Sequence, residues 1–404
     1  MMDKIFLLRF TGEDRIGLTA ALARQLAEVG AEVLDINQAV IHQSLLLGLM
    51  VRVDQQTDVE LSVSAVAASL ELRVKIREVD DNEYDNWVNR QGKPRYILTL
   101  LARAITAAHL AAVTEVIAAE GLNIDVIHRL SGRPFRIEDP DLPRRACVEF
   151  WLRGEPHDKS RMQSRYMDLS HDFAIDIAWQ KDDAYRRSRR LVVFDMDSTL
   201  IQAEVIDELA KEAGCGESVA AITEMAMRGE IDFDTSLRRR VATLEGLPES
   251  SLQRVAARLR LTEGAEALLL NLRELGYRTA ILSGGFSYFG NQLRDRLGFD
   301  YVHANELEII DGKLTGQVLA PIVNGQRKAE LLEQIAASEG INRRQIIAVG
   351  DGANDLPMLS RAGLGIAFHA KPIVRQKAGH AVSNLGLDAI LYLLGVRDRE
   401  RLTV

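Results

Sequence analysis

The sequence predicts two small α+β domains in tandem, followed by one α/β domain built on a doubly wound parallel sheet with an inserted helical cap. Two observations predict it. Strand-like and helix-like patterns run through the order β-α-β-β-α-β over residues 4–79, and again over 96–179. From Arg190 onward, short apolar strands alternate singly with helical stretches, as in a parallel sheet covered on both faces. A chain of 404 residues is also too long for one ordinary core.

In the first domain, placed at 1–80, residues 5–10 read as a strand and 11–17 as a loop. Leu18, Leu22, Leu26 and Val29 recur at helical spacing until Gly30 ends that helix. Strands over 33–40 and 45–53, a helix over 60–70 and a strand over 73–79 complete the unit. Residues 80–93 read as a linker, anchored by Tyr84 and Trp87. The second domain, placed at 94–182, has strands over 96–101, 123–130, 146–152 and 173–179, and helices over 107–119 and 159–170. Residues 133–145, rich in Pro, Asp and Arg, read as a surface loop. The run 28–36 is similar to 119–127, which favours a duplicated unit over one larger domain.

These two units resemble ACT domains, ferredoxin-like modules that often bind amino acids. The resemblance rests on the element order and on Asp14-Arg15-Ile16-Gly17-Leu18 at the start of the first helix. A glycine there lets a ligand carboxylate approach the helix N-terminus, whose free amides favour an anion. Asp14 and Gly17 are therefore the implied contacts for a regulatory amino acid. The corresponding stretch of the second copy, Leu101-Ala102-Arg103-Ala104-Ile105-Thr106, has no glycine. Two domains that serve only dimerisation are the competing reading, since sheet edges of this kind pair readily; a homodimer is expected.

The third block, 186–404, opens with Arg186-Arg187-Ser188-Arg189-Arg190, read as a solvated linker. Its strands fall at 191–194, 278–282, 301–304, 345–349 and 364–368. Ligands of such sheets bind beyond the carboxyl ends of the strands. Asp195-Met196-Asp197-Ser198-Thr199 follows the first strand, and Gly350-Asp351-Gly352-Ala353-Asn354-Asp355 follows the fourth. Packing gives no reason to place carboxylates there, and they repel one another unless a cation or a shared proton compensates. Oxygen donors beside a phosphate suit Mg2+. Between these two lie Ser283-Gly284-Gly285 and Lys328, whose hydroxyl, amide and ammonium groups are donors for phosphate oxygens.

The four pieces Asp195-x-Asp197-x-Thr199, Ser283, Lys328 and Gly350-Asp351-x-x-x-Asp355 resemble, in order, the four motifs of the haloacid-dehalogenase-like phosphatases, whose catalytic domain has a Rossmann-like sheet. The resemblance implies Asp195 as the nucleophile and Asp197 as the acid and base. It implies Mg2+ held by Asp195, the backbone carbonyl of Asp197, and Asp351. Ser283, Gly284 and Lys328 would hold phosphate oxygens, with Asn354 and Asp355 completing the loop and Lys328 restraining Asp195.

Residues 203–262 read as mostly helical, the inserted cap that can close over the site and choose the substrate. Here the chain resembles the phosphoserine phosphatases. Glu204 would face the substrate ammonium and Arg240 its carboxylate, with Met227 and Phe233 closing the apolar side. The implied reaction converts O-phospho-L-serine to L-serine and phosphate, the last step of serine synthesis, with serine as a feedback effector. A phosphotransferase passing phosphate to another hydroxyl, and an amino-acid sensor with little catalysis, remain open alternatives.

Composition bounds the partners. A net charge of −8 argues against nucleic acid, and no run of residues is apolar enough for a membrane span. The start lacks the pattern of a signal peptide, and Cys147 and Cys215 lie far apart, so a reduced, cytoplasmic protein is expected. His303, His369 and His380 have no ligand-spaced partners and read as structural.

Overall fold

A computed structural model of the chain describes residues 3–54, 56, 58–133 and 144–402; most of the loop expected at 133–145 lies outside the described residues. The chain forms two compact units, Met1–Lys93 and Pro94–Val404.

In the first unit, strands β1 (Lys4–Glu13), β2 (Glu32–Ile41), β3 (Ser44–Val53) and β4 (Arg73–Val79) form an antiparallel sheet of order β2-β3-β1-β4. Alternate residues of β3, Leu45, Leu47, Leu49, Val51 and Val53, are buried, as a sheet with one solvated face requires. They meet Leu18, Leu22 and Leu26 of one helix and Val59, Val63 and Ala67 of another. β1 runs to Glu13 because Thr11, Gly12 and Glu13 still pair with Leu46, Leu45 and Ser44 of β3. Residues 80–93 are more than a linker. Asp80 accepts a 2.8 Å hydrogen bond from the Glu83 amide and starts the helix Asp81–Asn89, which carries Tyr84 and Trp87.

The second unit repeats the βαββαβ order with β5 (Arg95–Ala102), β6 (Asn123–Arg129), β7 (Ala146–Arg153) and β8 (Asp176–Lys181), in sheet order β6-β7-β5-β8. It continues into a seven-stranded sheet of β9 (Leu191–Phe194), β10 (Arg278–Phe286), β11 (Tyr301–Ile310), β12 (Lys313–Leu319), β13 (Ile346–Gly350), β14 (Leu364–Phe368) and β15 (Ala381–Val382). The order is β12-β11-β10-β9-β13-β14-β15, parallel throughout except that β12 returns antiparallel to β11. Central β9 feeds both faces: Val192 and Phe194 enter one core, Leu191 and Val193 the other. The doubly wound sheet is thus as expected, with β12 added. Its hairpin turns at Asp311 and Gly312, both at positive φ (50 and 71), the conformation that a two-residue Asp-Gly turn supplies.

Four helices, Val205–Ala213, Gly216–Met227, Phe233–Ala242 and Ser250–Arg258, form the cap between β9 and β10. A short two-stranded neck holds both ends of the cap. Ile201 pairs antiparallel with Leu261, the Gln202 amide donates to Arg260 O (2.9 Å), and the Thr262 amide donates to Leu200 O (2.9 Å).

The second βαββαβ sheet and the seven-stranded sheet share a core. Leu101, Leu130, Cys147 and Ala178 belong to the same buried cluster as Val192, Phe194 and Ile390. The Asp176 carboxylate accepts from the Ser383 and Asn384 amides (2.9 Å each), and Gln180 Nε2 donates to Leu393 O at 3.0 Å. The basic run 186–190 is accordingly not a solvated linker throughout. The Arg186 side chain is 7% exposed and lies 2.6 Å from Glu149 Oε2, because the junction it occupies is packed between the two sheets.

Candidate active site

The site is built where β9 and β13 end side by side. Parallel pairing sets Phe194 against Val349, and the Asp195 amide donates to Val349 O at 2.9 Å. The loops that follow both strands therefore open at one place, and each delivers carboxylates. Asp195, Asp351 and Asp355 offer oxygens within 4.8 Å of one another. Three hard oxygen donors this close fit a divalent hard cation such as Mg2+ and fit no softer ligand chemistry. The Asp197 carboxylate is not one of this cluster.

Lys328, in the helix Gly325–Ser338, is buried beneath the carboxylates. Its Nζ lies 2.8 Å from Asp195 Oδ1 and 2.8 Å from Asp355 Oδ1. Burial alone would lower its pKa, but Asp195 and Asp355 outweigh burial and hold the ammonium charged. The acids pay the opposite penalty. Asp351 and Asp355 are each pushed up to about 7, first by burial and then by Asp195. Thr199 Oγ1 donates to Asp351 Oδ1 at 3.2 Å, and the Gly352 amide to Asp355 Oδ2 at 3.0 Å. Asn354 reaches Asp355 Oδ1 through its Nδ2 at 3.3 Å.

Asp197 stands apart in environment. Burial, then the charges of Glu204 and Asp195, raise its carboxyl well above the ordinary range. A carboxyl raised in this way favours its protonated form, the state a general acid needs. Its Oδ1 accepts from the Val205 amide at 3.2 Å, and the adjacent Ser198 sits at φ 54, a strained non-glycine conformation. Ser283, within β10, is fully buried and accepts from the Gly285 amide at 2.9 Å. A methyl group on Gly285 would collide with Asp197 Oδ2, so the Ser283 and Asp197 loops converge on that glycine.

The cap closes onto this floor. The Phe233 ring lies over Gly284, where an added Cβ would meet Phe233 Cζ at 2.9 Å. Asn324 Nδ2 donates to Asp234 Oδ1 at 3.0 Å, tying a cap helix to the start of the Lys328 helix. Glu204 accepts from Ser198 Oγ at 2.8 Å. Although the residue is exposed, desolvation by the side chains around it, and then the charges of Asp195 and Asp207, raise the pKa of its carboxyl. Arg240 lies within electrostatic reach of Glu204, Asp207 and Asp197, and its Nε is buried without a partner. Met227 lies on the cap at the C-terminal end of the helix Gly216–Met227. It precedes a turn at Gly229, and its side chain is 69% exposed.

Sequence reasoning did not place Asp355 among the metal-binding carboxylates, and it gave no contact role to Thr199 or Gly285, which it named only as motif members, nor to the Asn324–Asp234 tie. A signal for Asp355 existed, since it follows Asp351 by one turn of loop and shares its strand end. In the first unit, Gly17 sits at φ 93 and caps the helix Leu18–Glu28 without a side-chain bond, while Asp14 is exposed and donates through its amide to Gln43 O at 2.7 Å. His369 and His380 bind the backbone carbonyls of Leu385 and Trp179 at 2.9 and 2.7 Å, as structural histidines do. Among the described residues no helix is long and apolar enough to cross a membrane, and both cysteines are free.

Comparison with known proteins agrees with this geometry. Residues 192–360 match the haloacid dehalogenase-like hydrolase family, and residues 4–77 match the ACT domain. The chain is 41% identical to a phosphoserine phosphatase of Streptomyces coelicolor over 98% of this chain and 93% of that protein. It is 42% identical to one of Mycobacterium tuberculosis over 98% of this chain and 94% of that protein. A solved structure of a probable phosphoserine phosphatase from Vibrio cholerae superposes with a TM-score of 0.59 at 36% identity, covering 74% of this chain and 86% of that one. With its paired strand-end carboxylates, buried lysine and helical cap, the chain belongs to the phosphoserine phosphatases of the haloacid dehalogenase-like hydrolase family.

Proposed function

We propose that the chain hydrolyses O-phospho-L-serine to L-serine and phosphate through a phosphoryl-aspartate on Asp195. The observation that carries the substrate is Arg240. A half-buried guanidinium with an unpartnered Nε, in a cleft shared with Glu204, offers one cationic and one anionic contact beside a phosphate site. That pair matches the carboxylate and ammonium of an amino acid whose side chain bears the phosphate.

Asp195 attacks phosphorus, and the bond to the serine oxygen breaks as Asp197 supplies that oxygen with a proton. Asp197, now ionised, takes a proton from water as the water attacks phosphorus, releasing phosphate and restoring Asp195. Ser283 and Lys328 hold phosphate oxygens, and Lys328 keeps Asp195 oriented. Gly284, Asn354 and the Phe233 ring line the cleft around them. Mg2+ held by Asp195 and Asp351, with the Asp197 carbonyl or Asp355, would supply positive charge against the transferring phosphoryl group.

By function the chain divides into a regulatory domain at 1–80, a second domain at 94–182 and a phosphatase domain at 186–404. Serine is the effector we assign to the loop at Asp14 and Gly17, and a homodimer in the cytoplasm is the working state. The edge strand β2, exposed along its length with Val33, Ile36 and Ile41 in the open, supports self-association.

The test is phosphate release from O-phospho-L-serine with Mg2+, for wild type, Asp195→Asn, and wild type with EDTA. Release abolished by both changes is expected. Metal-dependent release from an aryl phosphate but none from phosphoserine would overturn the roles of Glu204 and Arg240.

A further inference from the structure

The stretch that enters the first helix differs between the two ACT-like domains. In the first, Gly17 leaves the helix N-terminus open. In the second, Thr106 closes it, its Oγ1 accepting from the His109 amide at 3.3 Å. Three residues before that cap, Arg103 reaches across to the neck of the cap. Its Nη1 and Nη2 donate to Oε1 and Oε2 of Glu263, both at 2.9 Å, and Nη1 also donates to Arg144 O at 3.2 Å.

Glu263 is the residue immediately after the neck of the cap. Thr262 and Leu200 close that neck, and Gly264, at φ 78, starts the helix Ala265–Glu274. The Glu263 carbonyl is held by the Leu387 amide at 2.7 Å. The neighbouring Asp388 is in turn held by Arg145, just ahead of β7, and by Arg401. Arg103 thus grips the end of the neck directly, and Arg145 holds Asp388, which packs against Gly264 beside it.

We propose that Arg103 is a positioning residue for the cap: through Glu263 it makes the second ACT-like domain the anchor of the cap's hinge rather than a ligand-binding module. A two-point guanidinium–carboxylate contact fixes direction as well as distance, so it sets the angle at which the neck leaves the core. Unlike Glu204 or Arg240, it touches no substrate. Its effect falls on how the cap closes over an amino-acid phosphate, and to that extent the inference rests on the proposed substrate.

The experiment uses the full chain and the variants Arg103→Gln, Glu263→Gln, Arg103→Glu and the charge-swapped pair Arg103→Glu/Glu263→Arg. Hydrogen exchange is read at the Gln202 and Thr262 amides, a measurement that needs no substrate. Exchange about two- to fivefold faster in each single variant is expected, the range for a partly exposed ion pair, with recovery in the swapped pair. In parallel, KM for O-phospho-L-serine should rise by a similar factor while kcat/KM for p-nitrophenyl phosphate, which has no amino or carboxyl group, stays within twofold. Unchanged exchange at both amides in Arg103→Gln and Arg103→Glu would overturn the proposal, whatever the substrate. Equal losses on both esters would overturn it too, since they mark a general loss of structure. Faster exchange with no phosphoserine turnover in wild type would count against the substrate and leave the hinge standing.

Discussion

Lys328 Nζ lies 2.8 Å from Asp195 Oδ1, at a depth where the lysine side chain is only 1% exposed. The ammonium is the sole positive charge in contact with the carboxylates among the described residues, so it both aims Asp195 and offsets its charge. Lys328→Met should lower kcat by about 100- to 1,000-fold, the scale for removing one preorganised donor. Folding stability of the metal-free variant should also fall relative to wild type, and more at high pH. The sign follows from Asp355, whose pKa is already raised to about 7 with the lysine present. Without the lysine it rises further, so the folded variant binds the proton more tightly and loses stability as pH climbs. Denaturant midpoints at about pH 6 and about pH 8 check this; equal losses at both would contradict it.

Protons and cation compete for the same oxygens. Asp351 and Asp355, both near 7 without metal, are largely protonated at pH 6 and must ionise to bind Mg2+. Affinity should therefore climb as pH rises through 7, by about tenfold per unit for each proton released. Titration calorimetry in buffers of different ionisation heat measures both affinity and proton count. A pH-independent affinity with no proton release would show that the carboxylates are ionised in the metal-free protein.

Gly285 gives the most local test of the catalytic geometry. A methyl group there meets Met196 Cε at 2.7 Å as well as the carboxyl of Asp197. Gly285→Ala should displace Asp197 while leaving the Asp195–Asp351–Asp355 cluster in place. Activity is expected to drop by about 100-fold, the cost of roughly 1 Å of misplacement, with Mg2+ affinity unchanged. Loss of metal binding in this variant would instead indicate disruption of the whole loop.

The buried pair Arg186–Glu149 should govern stability rather than turnover. Glu149 also accepts from Trp151 Nε1 at 2.6 Å, so removing Arg186 strands a carboxylate that cannot turn to solvent. Arg186→Met should cost about 3–5 kcal/mol. The double variant Arg186→Met/Glu149→Leu should recover most of it. Equal stability of the single and double variants, read by chemical denaturation, would show that the charge is not trapped.

The catalytic loops were legible because chemistry conflicts with packing there. Asp195 and Asp351 follow wholly apolar strands, and only a ligand explains charge in such places. The elements of the two βαββαβ units were legible from hydrophobic period and turn residues, to within a few residues at most ends. What could not be read depends on distant residues. β12 needs a partner in β11, although the Asp311-Gly312 turn between them was a usable sign. Arg186 is an arginine among arginines until Glu149 is brought beside it from 37 positions away. Arg103 looks like any surface base until Glu263 arrives from 160 positions away.

The apolar cluster joining Leu101, Leu130, Cys147 and Ala178 to the strands of the seven-stranded sheet bears on how such a chain can be inherited. The first unit encloses its own core, so a genetic crossover near residue 93 exchanges a self-sufficient piece. A crossover near 186 does not: it would bare oily surface on the enzyme and discard the arginine that holds its neck. Of two look-alike modules, the first can be exchanged as one piece, while a change in the second reaches the core of the catalyst it packs against.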